Sequence, residues 1–172
     1  MIFRVEIWPR EGFSDPHAEG VLAQARELGV RVDRVRHGRL FMLVGGLSVE
    51  QVRRAAEELL ADPVTEDYRL GAGPPPADAS LVEVHLKRGV MDPVAASPEK
   101  ALADMGLPVE EVRTARRYEL AGLADPADAE RVAGRLLAND VIEEVHFEPH
   151  LPAEVHEGAY ELEIHEIPLT DL

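Results

Sequence analysis

The sequence predicts an α+β protein made of two copies of one unit, each with the order strand, helix, strand, strand, helix, strand. The first observation is a strand, glycine turn and Asp-Pro helix start that occurs twice, in residues 5–16 and 82–93, so that Gly89 follows Gly12 by 77 residues. The second is that this offset continues without a gap, for example from Gly29 to Gly106 and from residues 59–61 to 136–138. An ungapped register of this length indicates an internal duplication.

The duplication divides the chain into a first repeat at residues 1–70, a Gly/Pro-rich linker at 71–80 and a second repeat at 81–149. An acidic C-terminal extension follows at residues 150–172. Units of about 70 residues are marginally stable alone, so we expect the repeats to pack on each other. The simplest arrangement uses each repeat to cover the exposed sheet face of the other, about a pseudo-two-fold axis.

The first half of each repeat reads as a strand followed by a helix. In the first repeat Phe3, Val5 and Ile7 alternate with polar or amphipathic residues, which is typical of a half-buried strand. Asp15 can cap a helix that has Pro16 at its first position. In the second repeat Pro98 leaves the helix start open between the Asp92-Pro93 pair and Ser97.

The second half reads as two strands, a helix and a last strand. Residues 30–35 and 40–44 are predicted strands, with His37-Gly38 as a hairpin turn between them. Ser48 and Gln51 match a capping box, and a fourth strand is expected at 64–70. The second repeat gives strands near 81–87, 109–114, 116–121 and 141–147. This βαββαβ order is the ferredoxin-like arrangement.

Composition excludes several classes of function. The net charge is −15 and the hydrophobic fraction is 45%, which argues against nucleic acid and anionic membranes as partners and favours a globular core. There is no cysteine, and no apolar run approaches the roughly 20 residues of a membrane helix. The chain begins directly in a strand, without the pattern of a signal peptide, so we expect a cytoplasmic protein.

The chain offers no convincing catalytic group. No nucleophile with a base and an orienting residue is visible, and neither glycine cluster matches a phosphate or dinucleotide loop. His146 and His150 could form a metal site with His156, but Pro149 separates the pair, so solvated or capping roles are favoured and no metal or cofactor site is predicted. His85 is expected on an outward strand face.

Arginines cluster around both predicted hairpins: Arg34, Arg36 and Arg39 in the first repeat and Arg113, Arg116 and Arg117 in the second. One interpretation is a solvated hairpin with flanking charges. The other is a contact for an anion or an acidic partner, used twice because the unit is duplicated. The candidate contact residues are Arg36, Arg39, Arg113 and Arg116.

The repeated motifs resemble the PurS subunit of phosphoribosylformylglycinamidine synthase, an enzyme of the purine pathway. The resemblance lies in Lys87-Arg88-Gly89-Val90-Met91-Asp92-Pro93, in residues 35–39, and in residues 136–144 with their earlier match at 59–68. The tandem therefore resembles a PurS dimer joined in one chain. The usual Gln-Gly after Asp-Pro is His17-Ala18 in the first repeat and Val94-Ala95 in the second.

The resemblance implies a non-catalytic, dimer-forming subunit that lies between a synthetase subunit (PurL) and a glutaminase subunit (PurQ). It implies that such a subunit assists the transfer of glutamine-derived ammonia to formylglycinamide ribonucleotide. ATP and Mg would be used by the synthetase, with no cofactor on this chain. The departures at His17 and Val94 put in question whether both repeats keep the same partner contacts.

A second interpretation is a tandem regulatory module of the ACT type, which binds an amino acid between units. It predicts a ligand pocket at the Gly12 or Gly89 turn. In the extension, Tyr160, Leu162 and Ile164 alternate with polar residues, which indicates an extra strand or a docking segment. Residues 167–172 resemble the linker into the synthetase of fused forms, so the chain is expected to be either a free-standing subunit or the front of a longer protein.

Overall fold

The computed structural model describes residues 1–152; the predicted strand and linker of the extension lie outside the described residues. The strands are β1 (Ile2–Pro9), β2 (Arg34–Gly45), β3 (Glu66–Leu70), β4 (Ala79–Leu86), β5 (Val109–Ala121) and β6 (Glu143–His146). The helices are α1 (Pro16–Glu27), α2 (Val49–Ala55), α3 (Ala96–Asp104) and α4 (Ala127–Val132), and π-helical turns at Ala56–Leu60 and Ala133–Leu137 extend α2 and α4. Within this part of the chain no helix is long and apolar enough to cross a membrane.

The helix starts follow the capping residues found in the sequence. Asp15 Oδ1 accepts hydrogen bonds from the backbone N–H groups of His17 and Ala18, both at 3.1 Å. Ser48 and Gln51 form the predicted capping box. In the second repeat α3 begins at Ala96, which confirms the later of the two predicted starts, because a proline is tolerated in the first turn but not deeper in a helix.

The α+β class and the two-repeat organisation are confirmed, but the repeats do not pack as two separate stacked sheets. The repeats join edge to edge in one antiparallel sheet with the strand order β3-β1-β2-β5-β4-β6. The junction is the pairing of β2 with β5, which are 12 and 13 residues long. Long strands left as free edges expose a row of unpaired backbone groups, and pairing them satisfies both edges at once.

The predicted hairpin at His37-Gly38 is also wrong, since both residues lie inside the continuous strand β2. The second and third predicted strands of each repeat are therefore one strand. A tight hairpin needs a positive φ, and Gly38 has none. Glycine at position 38 instead makes room for the Trp8 ring, because a Cβ atom there would lie 2.9 Å from three atoms of that ring.

The strand register has an internal two-fold symmetry. The regular β2–β5 ladder runs from the pair Arg34 with Ala121 to the pair Val44 with Glu111. Its two-fold centre is the pair Arg39 with Arg116. These two residues are also separated by the repeat offset of 77, so each repeat meets its own equivalent position at the centre of the sheet. The pairing of β1 with β2 recurs in the pairing of β4 with β5 under the same offset.

The helices pack on one face of the sheet, here called the helix face, in two cores that each combine both repeats. One core joins Val21 of α1 and Val132 of α4 with Leu120 of β5. The other joins Val52 of α2 and Leu102 of α3 with β1 and β2. Full burial of such a side chain contributes about 1.5–3 kcal/mol, so both cores favour the joined form over separate repeats.

Candidate functional site

Arg39 and Arg116 lie together at the symmetry centre, on the helix face. Arg39 Nη2 donates to Glu66 Oε2 at 2.6 Å and to the Leu60 carbonyl at 3.1 Å. Arg116 makes the equivalent bonds to Glu143 and to the Leu137 carbonyl. Like charges directly opposite on a sheet repel, and the two glutamates offset this repulsion. Each arginine also caps the carbonyl end of a helix.

Arg36 and Arg113 lie on the other face of the sheet, here called the network face, and are not neighbours. Arg36 Nη1 donates to Glu119 Oε2 at 2.9 Å, and its guanidinium lies 4.7 Å from the centre of the Trp8 ring. Arg113 Nε donates to Glu111 Oε1 at 2.7 Å. The four arginines therefore do not form one patch. Their role as contacts for a partner or an anion stays a prediction.

Beside the central arginines on the helix face lies a cluster that we call the His–Tyr cluster: Asp15, His17, His37 and Tyr118. His17 Nε2 is 2.8 Å from the Tyr118 hydroxyl, and His37 Nδ1 is 3.6 Å from Asp15 Oδ2. The rings of His17 and His37 are 4.4 Å apart. Asp15 and His17 come from the turn and the start of α1, whereas His37 and Tyr118 face each other across the β2–β5 junction.

Burial and neighbouring charge set the protonation of this cluster. Burial, together with the nearby His17, lowers the pKa of His37 to about 4, although Asp15 opposes the shift. Burial also raises the pKa of the fully buried Tyr118 hydroxyl. Near neutral pH the imidazole of His37 and the phenol are therefore uncharged. His37 and Tyr118 can therefore donate and accept hydrogen bonds without presenting a charge.

The equivalent position in the second repeat lacks this chemistry. Asp92 is retained, but its Oδ2 accepts from the Thr114 backbone N–H at 2.7 Å and from Thr114 Oγ1 at 2.9 Å. Thr114 replaces His37, and its partner across the junction is Phe41 in place of Tyr118. The polar cluster is therefore formed on one side of the symmetry centre only.

Two cavities open beside the His–Tyr cluster. The larger, of about 660 Å³, is lined by the residues 9–15 turn together with Leu22, Val35 and His37. The smaller, of about 390 Å³, lies between His17, His37 and Arg39 and includes Phe13. Their walls mix carboxylate, imidazole and apolar groups, so they could hold a small polar molecule.

The network face carries a second group, here called the buried ionic network: Arg4, Glu6, Glu83, Arg117 and Glu119, each at most 4% exposed. Its bonds cross between repeats. Arg4 Nη1 donates to Glu83 Oε2 at 3.0 Å, and Arg117 Nη1 donates to Glu6 Oε1 at 3.0 Å. Glu6 and Glu83 are equivalent positions, so each repeat supplies a carboxylate to an arginine of the other.

The buried ionic network stabilises the ionised form of the Glu83 carboxylate. Burial alone would raise its pKa, but hydrogen bonds from His85 and Arg4 and from the His150 backbone N–H lower it to about 2. The outward placement expected for His85 is therefore wrong, because its side chain is 4% exposed.

Sequence reasoning missed both groups because their members lie far apart in the chain. One local signal was available. Residues two apart on a strand share a face, so Arg4 with Glu6, and Glu83 with His85, mark charged stripes on strands whose other face is apolar. No local signal reports that these stripes meet in the folded chain.

Comparison with known proteins identifies the family. The model of the PurS family, phosphoribosylformylglycinamidine (FGAM) synthase, matches twice, over residues 2–72 and 80–150. The chain therefore belongs to the PurS family, as a tandem form, and is a member of a family of non-catalytic subunits of FGAM synthase in purine biosynthesis. No curated protein matches significantly.

Solved structures include similar single-repeat proteins. PurS of B. subtilis in a C2 crystal form is 28% identical, and the alignment covers 41% of this chain and 94% of that chain, with a TM-score of 0.38. PurS of Thermus thermophilus in a P21 form is 35% identical, and the alignment covers 43% of this chain and 96% of that chain, with a TM-score of 0.35. Both matches span almost the whole solved chain and about one repeat of this one.

Proposed function

We propose that this chain is the accessory subunit that bridges the synthetase and glutaminase subunits of FGAM synthase and supports transfer of glutamine-derived ammonia to formylglycinamide ribonucleotide. The observation that carries the proposal is the double family match combined with the symmetric β2–β5 junction. One chain supplies the surface that two single-repeat subunits would supply together. ATP and Mg²⁺ act on the synthetase in this proposal, and the chain contributes surfaces rather than reacting groups.

The test is reconstitution with the synthetase and glutaminase from the same source. FGAM formation is measured with glutamine and, separately, with ammonium chloride as the nitrogen source. We expect the chain to raise the glutamine-dependent rate strongly and the ammonium-dependent rate little, with the three proteins co-eluting on sizing. A glutamine-dependent rate that does not respond to the chain, together with no co-elution, would contradict the proposal.

The partner contacts proposed are Arg36, Arg39, Arg113 and Arg116. Arg39 and Arg116 are the stronger pair, because they are direct neighbours at the centre of the sheet and their side chains are 43% and 37% exposed. We expect Arg39→Gln with Arg116→Gln to weaken assembly at least tenfold while the fold survives. Arg54→Gln is the matched control, since Arg54 pairs with Glu58 on an exposed helix surface. Equal effects of the two changes would count against the central contact.

The cavity at the Gly12 turn favours a second candidate function, the amino-acid-binding regulatory module. A thermal-shift screen of the twenty amino acids tests it, because a ligand that binds only the native state raises the melting temperature. A rise that disappears in His37→Thr, which copies the second repeat, supports a ligand site there. No shift with any amino acid removes this candidate.

A further inference from the structure

The edge of the sheet at β6 carries a cluster of histidines, here called the histidine cluster: His85, His146 and His150, with Glu144. The His146 and His150 rings are stacked at 3.6 Å, and both lie within 5.4 Å of the His85 ring, measured between centroids. Glu144 Oε1 is 3.2 Å from His146 Nε2 and 4.0 Å from His150 Nε2. The four side chains are brought together on the network face.

We propose that Glu144, His146 and His150 form a binding site for a divalent transition metal ion, with Zn²⁺ as the best fit. One donor atom from each of the three lies within 4.8 Å of the others. Two imidazoles and a carboxylate are a ligand set that zinc accepts with a fourth position open to water, and tetrahedral bonds of 2.0–2.2 Å place donors about 3.4 Å apart. Ligation requires the stacked imidazole rings to rotate about their side-chain bonds until their lone pairs converge on the ion.

Local strand geometry explains why these donors meet. Glu144 and His146 are two residues apart on β6 and therefore share a face. His85 lies directly across the β4–β6 ladder from Glu144. His150 is held beside them by its backbone, since its N–H donates to Glu83 at 3.0 Å and its carbonyl accepts from Arg4 at 3.0 Å. Metal ligands are commonly supported by such surrounding hydrogen bonds.

The comparison between repeats supports a cation at this place. The positions equivalent to His146 and His150 are Arg69 and Gly73, and Gly73 N–H bonds to Glu6 just as His150 N–H bonds to Glu83. In the first repeat the Arg69 guanidinium lies 3.8 Å from Glu6. The second repeat has histidines where that guanidinium would lie. A bound metal ion would restore the positive charge beside Glu83.

A metal held here would link β6 to the chain that follows it. Glu144 and His146 belong to the strand, whereas His150 lies after it, at the point where the described chain leaves the sheet. The inference departs from the expectation of no metal site, which treated His146 and His150 as separated by Pro149. It does not depend on the proposed role in FGAM synthase.

The test is isothermal titration of the full chain, freed of metal by a chelator, with Zn²⁺ and then with Co²⁺ as a spectroscopic probe. We expect one ion per chain, a visible Co²⁺ spectrum of low coordination number, and a higher melting temperature with Zn²⁺. Glu144→Gln, His146→Gln and His150→Gln should each weaken binding more than about tenfold, the loss that even an outer partner can cause. Glu144→Gln leaves the buried ionic network untouched, so its loss of binding cannot be assigned to unfolding.

His17→Gln is the matched histidine control and should bind Zn²⁺ like the parent chain. Two results would overturn the proposal. One is the absence of stoichiometric binding to the parent chain. The other is binding that Glu144→Gln, His146→Gln and His150→Gln all leave intact, which would place the ion elsewhere.

Discussion

His37 links the stability of the protein to pH. Its pKa is about 4 in the folded chain, through burial and the neighbouring His17, against about 6.5 in an unfolded one. Between these values the unfolded chain binds a proton that the folded chain does not, so stability falls as the pH is lowered from about 6.5 to 4. By linkage the loss at pH 4.5 is about 2 kcal/mol.

Urea unfolding of the parent chain and of His37→Thr at pH 7 and pH 4.5 measures this contribution. Thr114 shows that threonine fits the equivalent position and bonds to the aspartate there. We expect the variant to lose about 2 kcal/mol less than the parent on acidification. Identical losses in the two proteins would show that His37 is not the responsible group.

Arg117 is the residue on which the buried ionic network most depends. It is fully buried and donates to Glu6 and Glu119. The first repeat has Leu40 at the equivalent position. Arg117→Leu therefore removes the positive charge and introduces a side chain that is already accommodated at that position of the repeat. We expect a loss of about 3–5 kcal/mol, because removing one partner leaves buried carboxylates uncompensated.

Arg113→Leu is the control for this change, since Arg113 is on the same strand and face but pairs with a partly exposed Glu111. Exposed pairs contribute at most about 1 kcal/mol. Chemical denaturation of both variants gives the comparison. An Arg117→Leu cost no larger than that of Arg113→Leu would refute the assigned role of the network.

At the scale of the element, the packing of strand β2 depends on Gly38, a residue whose sequence context also fits a turn. Gly38→Ala places a Cβ atom 2.9 Å from the Trp8 ring, and such overpacking typically costs about 1–3 kcal/mol. Gly46→Ala is the control, because a Cβ atom there would meet nothing within 4 Å among the described residues beyond its own chain neighbours. Trp8 is the only tryptophan, so its fluorescence reports the displacement. An unchanged spectrum and stability for Gly38→Ala would contradict this packing.

Most elements could be predicted from local patterns, but the long strands β2 and β5 were each predicted as two shorter strands. Asp15-Pro16, Ser48 with Gln51, and the alternation of Phe3, Val5 and Ile7 each fix one boundary or face by short-range chemistry. His37-Gly38 has the composition of a turn, and only the position of Trp8 on the neighbouring strand shows why glycine is required. Val35, Phe41 and Leu43 are separated by even numbers of residues. Treating them as one alternating pattern would have predicted a single strand in place of the strands expected at 30–35 and 40–44.

At the scale of the whole molecule, the repeat offset was readable from sequence but the way the repeats join was not. The offset of 77 residues is the same whether the repeats lie side by side in one sheet or pack as two stacked sheets, so it does not distinguish the two arrangements. The side-by-side form is selected by the backbone edges of β2 and β5 and by ion pairs such as Arg4 with Glu83, which no single stretch of chain contains. The same reason hid the His–Tyr cluster, whose Asp15 and Tyr118 are brought together only by the junction.

The central claim is that two PurS repeats fold as one sheet through the β2–β5 junction. The most direct measurement is native mass spectrometry of the chain expressed as two pieces, residues 1–77 and 78–172, divided in the linker. We predict a one-to-one complex of the two pieces that melts as a single unit. Pieces that stay separate, or a complex that survives Arg117→Leu and Glu6→Gln together without weakening, would contradict the account.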